Sequence, residues 1–418
     1  MEKISNYILD NGLKVFLVQN KGLHTYAINL SLNYGIFNEK KGSSGVAHFI
    51  EHMVFEGTNK QNKQSLRDNL DNYTIYWNGE TDGELTSYQF KSVDYENIDK
   101  LLLTIKDMVF NSNFPNESIV TERNAIFNEV VSNFASEFGL EGAIARAYLF
   151  KREPMDFLGG NPSKIERIKK DSLFSEYIAN YLPNNSIISV VGKFDLGEAK
   201  KYINKNFGGL ETRAQNVLYR NVNVNSVPSK NVYIENSHDY GKQSTIVFGI
   251  KLPGAEKLYK DSENSRASLG VLRTFLSNNL MNIMREKTGV AYSVDVDIDI
   301  GRYTGYIAIG TKVKDTDVSL SQRQIKNQLE KILDGEIDSS YVNSAKENSR
   351  IDLLESRDST LDFANSFSSS VLKYSKTPFE LYKESKNINL DDLRAAGEYF
   401  KNYERENSVV VVSNKKHI

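Results

Sequence analysis

The same order of elements runs along this chain twice, and that repetition limits the architectures open to it. Residues 13–20 (LKVFLVQN) and 25–34 (TYAINLSLNY) read as strands rich in β-branched and aromatic residues. A Gly/Ser turn at 40–45 then leads into a helix, with Ser43 or Ser44 as its expected N-cap. Residues 63–72 read as a helix, and 73–79 and 84–93 as strands joined by ETDG. Helical spacing returns at 95–111, from 116 to about 137, at 139–151 and at 170–181, before Pro183. A buried strand, SIISVVG (186–192), and an amphipathic helix (196–209) close this half. Residues 210–230 have few apolar positions at any period, and a linker is placed at 213–229. Beyond it the order recurs: strands at 231–236 and 243–250, a helix at 262–287, strands at 291–299 and 303–311, then helices, and a closing strand at 408–413. Strands followed by runs of helices point to an α+β fold of two similar halves. Each half is expected to be a mainly antiparallel sheet covered by helices, at 1–212 and 230–418.

Composition agrees and excludes several classes. A chain of 418 residues exceeds one ordinary core. Apolar content of 39% with 25% charged residues is that of a soluble globular protein. A formal charge of −2 gives no attraction to nucleic acid or to an anionic membrane, and neither is expected as a partner. No apolar run approaches the roughly 20 residues that span a bilayer. The first 20 residues lack a basic start followed by an apolar core, so no signal peptide is read there and a cytoplasmic location is expected. There are no cysteines, so any zinc must be held by histidine and carboxylate.

The stretch GVAHFIEHMVFEGT (45–58) offers such ligands. His48, Glu51 and His52 stand in the order H-x-x-E-H, which on a helix puts all three on one side. Two neutral imidazoles one turn apart can hold a zinc ion, and a carboxylate beside them can take a proton from a metal-bound water. A helical His pair can also be merely solvated. Here Phe49, Ile50, Met53, Val54 and Phe55 surround it with apolar side chains, and a buried pair without a partner would be costly. A hydrolytic zinc site usually takes a third protein ligand. The helix after Asn116 offers Glu117, Glu122 and Glu129, of which the last two lie two turns apart on one face.

These residues carry a resemblance to the pitrilysin/insulinase family of zinc peptidases, which includes the mitochondrial processing peptidases. That family has H-x-x-E-H, sixty-nine further residues, a Glu, six residues and another Glu. Residues 53–121 and 123–128 separate His52, Glu122 and Glu129 by the same numbers. By the resemblance, His48, His52 and Glu129 bind one zinc ion, Glu51 is the general base, and Glu122 supports the site from behind a ligand.

Two further stretches resemble the family. In WNGETDGELTSY, Asn78 and Gly79 are similar to its substrate-binding edge strand, which often reads Asn-Ala, although NG is also a common turn. In MREKTGVAYSV, Arg285 and Tyr292 are similar to its Arg/Tyr pair that contacts substrate. The resemblance implies a zinc endopeptidase acting on short or unfolded peptides inside a closed chamber. The family builds that chamber from four α+β units and this chain supplies two, so a homodimer is implied, with a heterodimer as the alternative. The competing readings are a maturation peptidase dedicated to one small peptide and a non-catalytic partner subunit.

Overall fold

Uniformly apolar runs and alternating runs take different places in the first sheet. β1 (Lys3–Ile8), β2 (Lys14–Gln19), β3 (Tyr26–Leu32), β4 (Tyr76–Thr81), β5 (Thr86–Ser92) and β6 (Ser186–Gly192) pair in the order β1-β2-β6-β3-β5-β4. All seven residues of β3 and of β6 are buried, as befits central strands covered on both faces. β1 and β4 stand at the two edges, and β4 alternates between exposed and half-buried positions. β2 and β6 run parallel, from Lys14↔Ile187 to Gln19↔Gly192, and every other pair is antiparallel.

The second sheet repeats this plan. β7 (Lys230–Glu235), β8 (Gln243–Pro253), β9 (Ala291–Ile300), β10 (Thr304–Lys314) and β11 (Ser408–Asn414) pair in the order β7-β11-β8-β10-β9. β11 lies parallel to β7 and antiparallel to β8. The closing strand of each half is thus inserted beside the first strand of that plan, β6 beside β2 and β11 beside β7. β1, which the sequence reading did not anticipate, is the addition that makes the first sheet wider.

The computed structural model describes residues 2–40, 42–93, 95–212, 224–235, 243–337 and 339–414. They fall into two units built from interleaved segments. Met1–Val130, Gly159–Asn221 and Leu353–Pro378 form the first, and Val131–Leu158, Val222–Asp352 and Phe379–Ile418 the second. The expected domains, 1–212 and 230–418, are continuous in sequence, whereas the packing exchanges one helix each way. The helix Thr360–Tyr374 lies on the first sheet, where Ser368 Oγ donates to Ser189 Oγ at 2.9 Å, Asn29 Nδ2 donates to Asn365 Oδ1 at 2.7 Å, and Phe367 meets Phe16 at 5.8 Å between ring centroids. The helix Gly139–Phe150 packs on the second sheet, its Ala145 and Leu149 against Val247, Val409 and Val411.

Of the linker expected at 213–229, residues 213–223 lie outside the described residues. Val227 is buried, and Ser229 Oγ donates to the Tyr403 carbonyl at 2.6 Å, so this end belongs to the second unit rather than to a free connection. Among the described residues, no helix is long and apolar enough to cross a membrane.

Candidate metal centre

The motif forms α1 (Val46–Met53), and its start differs from the expected one. Gly45, at φ 83°, is the N-cap and makes no side-chain cap. The Ser44 hydroxyl instead accepts the Asn161 N–H at 2.8 Å, and the buried Glu39 carboxylate accepts the Ala47 N–H at 2.9 Å. A carboxylate at this end also suits the helix dipole. Gly45 is required by a close approach of chain. Gly160 lies against it at φ 124°, and a Cβ on Gly160 would fall 2.6 Å from Gly45 Cα.

That approach sets the first ligand. His48 Nδ1–H donates to the Gly159 carbonyl at 2.9 Å, which leaves Nε2 of the neutral ring with a free lone pair. His52 is oriented likewise. Its Nδ1–H donates to Glu122 Oε2 at 3.0 Å, a carboxylate–histidine arrangement that fixes the tautomer and raises the ring's basicity. The two Nε2 atoms face each other at 3.2 Å. Glu129 Oε2 completes a triangle, 3.3 Å from His48 Nε2 and 3.5 Å from His52 Nε2.

These donors fit zinc. Metal–ligand bonds of about 2.0–2.1 Å at tetrahedral angles put ligand atoms about 3.3 Å apart, close to the three sides of the triangle. Two lone pairs facing each other at 3.2 Å repel unless a cation or a proton lies beside them. Among the described residues, His48, His52 and Glu129 are the group of His, Asp and Glu side chains that converges on a metal position. Glu117, offered by the sequence as a third donor, is outside it.

Electrostatics point the same way. Burial acts to lower the pKa of His52, but hydrogen bonds to Glu122 and Glu129 outweigh it and push it up to about 10. For His48, burial is again the largest influence and again loses, to Glu129 and the charge of Glu51, so its pKa is raised. Glu129 is held far below the usual carboxylate range by hydrogen bonds from His48 and His52. Glu122 is lowered too, because His52 and Lys63 overcome the cost of its burial. The raised histidines and the lowered carboxylates together show imidazoles and carboxylates placed so that a positive charge between them is favoured.

Glu51 differs from the other carboxylates. It is buried, and desolvation raises its pKa above the ordinary value. Its Oε2 accepts the Thr81 hydroxyl at 2.9 Å. Thr81 stands on the edge strand β4 with Asn78 and Gly79, so the Asn-Gly pair is strand rather than turn, and the reversal comes at Asp82–Leu85. A Cβ on Gly79 would lie 2.6 Å from Glu51 Oε1 and 3.0 Å from Phe55 Cε2. Asn78 is exposed. Arg285 and Tyr292 are brought together within the second unit: the guanidinium carbon sits 5.2 Å from the phenol ring centroid, and Tyr292 is 82% exposed at the start of β9, an edge strand.

The sequence reading missed Gly159, Thr81 and Lys63. The Gly-Gly pair at 159–160 was a visible sign of positive φ, but nothing in it named His48 as its neighbour.

The family description "Insulinase (Peptidase family M16)" matches residues 14–141, and "Peptidase M16 inactive domain" matches 167–349. The second match takes in the end of the first unit and much of the second; in the second unit the helix Ser265–Met281 follows β8 as α1 follows β3 but carries no histidine. An "Uncharacterized zinc protease" of Rickettsia bellii is 26% identical over 341 residues, 79% of each chain. The mitochondrial-processing peptidase subunit beta of Caenorhabditis elegans is 28% identical over 207 residues, 49% of this chain and 44% of that one. The crystal structure of a protease from Helicobacter pylori superposes with a TM-score of 0.85 at 19% identity, covering 99% of this chain and 100% of that one.

Proposed function

Because the chain belongs to the M16 (insulinase) peptidase family, we propose that it is a zinc-dependent endopeptidase acting on short or unfolded peptides. The observation that carries this reading is the triangle of His48 Nε2, His52 Nε2 and Glu129 Oε2, with the buried Glu51 carboxylate beside it. Zinc held there supplies Lewis acidity to a scissile carbonyl and lowers the pKa of a bound water. Glu51 takes a proton from the attacking water at its carboxylate and gives it to the leaving amine as the C–N bond breaks. A carboxylate whose pKa is raised by burial suits both steps, and the Thr81 hydroxyl holds one of its oxygens in place. The edge strand β4 offers its unpaired side to an extended peptide, so that backbone hydrogen bonds give affinity with little dependence on side chains.

Arg285 and Tyr292 are assigned to substrate binding, with donors for the peptide backbone or the developing oxyanion. We further propose a homodimer in which this pair serves the zinc centre of the other subunit. One chain carries both features, which favours a closed two-fold assembly of identical subunits.

The Glu51→Gln variant separates the metal from the proton transfer. It is expected to retain zinc by elemental analysis and to lose about 10²–10⁴-fold in kcat, the range for a removed general base. Parental turnover in a zinc-loaded variant would refute this mechanism. For assembly, light scattering at micromolar concentration is expected to give twice the mass of the 418-residue chain, and a monomer would refute the dimer.

A further inference from the structure

Behind the metal centre, Glu122 continues into the charged side chains of Lys63, Glu56 and Arg67, to which no role has been given. Lys63, the first residue of α2 (Lys63–Tyr73), places its Nζ 2.5 Å from Glu56 Oε2 and 3.4 Å from Glu122 Oε1. Glu56 is 1% exposed, and its other oxygen accepts from Arg67 Nη2 at 3.3 Å. Glu122 turns its second oxygen to His52 Nδ1. A continuous path therefore runs from Arg67 through Glu56, Lys63 and Glu122 to the ring whose Nε2 faces the metal position.

Each link answers a physical need. Glu56 and Glu122 are both buried carboxylates, and an ammonium between them offsets the cost of removing both from water. Without Lys63, Glu122 keeps a single side-chain partner, the Nδ1–H of His52, and gains freedom to rotate about its own side chain. The orientation of the His52 ring then loosens with it. Glu56 does not depend on Lys63 alone, because Arg67 remains.

We propose that Lys63 is a positioning residue for the metal centre: through Glu122 it fixes the ring of His52 and so sets zinc affinity. This rests on the zinc reading given above. The test measures zinc dissociation constants by chelator competition for the parent, Lys63→Met, Glu122→Gln and the double variant. Loss of an outer hydrogen-bonding partner typically weakens metal binding about 10–100-fold, and Lys63→Met is expected near the lower end because it acts one side chain further out. In the Glu122→Gln background, Lys63→Met should add nothing, whereas a purely structural role would weaken both backgrounds equally. Lys63→Arg, which keeps the cation, should restore parental affinity. If Lys63→Met fails to fold, Glu56→Gln combined with Lys63→Met removes the buried charge along with its partner and makes the same prediction. Unchanged affinity in Lys63→Met, or equal losses in both backgrounds, would overturn the role of Lys63. A parent that binds no zinc would instead overturn the metal centre itself.

Discussion

A few ångströms around Glu51 decide what this centre does. The space that a Cβ on Gly79 would need is taken by the Glu51 carboxylate and the Phe55 ring. Gly79→Ala is therefore expected to leave folding almost unchanged, because a side-chain tip can yield, but to displace the base. A misplacement of about 1 Å can cost about 10²-fold in rate, so kcat should fall by about 10–100-fold at unchanged zinc content. Steady-state kinetics on the zinc-loaded variant would show it. The imidazoles make a separate prediction about pH. In the metal-free protein His52 titrates at about 10 rather than near its ordinary 6.5. A folded-state pKa above the unfolded one stabilises the protein fully below about pH 6.5, and that contribution is lost as pH rises through about 10. Zinc must also displace this proton, so uptake near neutral pH releases protons and tightens as pH rises. Calorimetric titration in two buffers of different ionisation enthalpy reads the release, and identical heats would contradict it. His48, Glu51 and His52 were legible as one group because the helical period puts them on one side of a helix, whereas Glu129 was singled out from Glu117 and Glu122 only by the resemblance to a family. Gly159, Thr81 and Lys63 were not, because each reaches the site through tertiary packing from a distant part of the chain.

The helix α1 is placed by contacts that neither its caps nor its own period reveal. The sequence suggests a serine at its start, yet a glycine stands there because two segments pass at backbone distance. Gly160→Ala would put a methyl group 2.6 Å from Gly45 Cα at φ 124°, where both sterics and backbone geometry oppose it. We expect a loss of about 1–3 kcal/mol, the usual cost of holding a residue in such a region, measured by denaturant unfolding of the metal-free protein. Zinc affinity should fall with it, since the neighbouring Gly159 carbonyl orients His48. The edge strand β4 was easier to anticipate. Its β-branched and aromatic residues are visible in the sequence, and its ambiguity lay in the Asn-Gly pair, which forms a turn in many hairpins but here runs on as strand to Thr81.

At the scale of the molecule, the repeated element order was legible because hydrophobic periodicity is local, and the two sheets do share one plan. Which sheet a helix covers is not local information. Phe363, Phe367 and Val371 on the helix Thr360–Tyr374 form an apolar face that any sheet could accept, so the exchange of helices could not be read from periodicity. The exchange bears on how this protein is made. Thr25 on the first unit meets Thr360 at 3.0 Å, and Asn29 meets Asn365, partners more than 300 residues apart in sequence. A ribosome finishes every strand of the first sheet long before it delivers the helix that covers one face. During that interval the nascent chain presents Phe16 and its neighbours to solvent, a surface suited to a chaperone or to aggregation. Residues 1–212 expressed alone are therefore expected to bind an apolar dye and to unfold without a sharp transition, whereas a soluble, cooperatively folding fragment would contradict this order of assembly. The three ligands of the metal centre lie within the first 130 residues, but the sheet behind them is covered only once the helix Thr360–Tyr374 has been made.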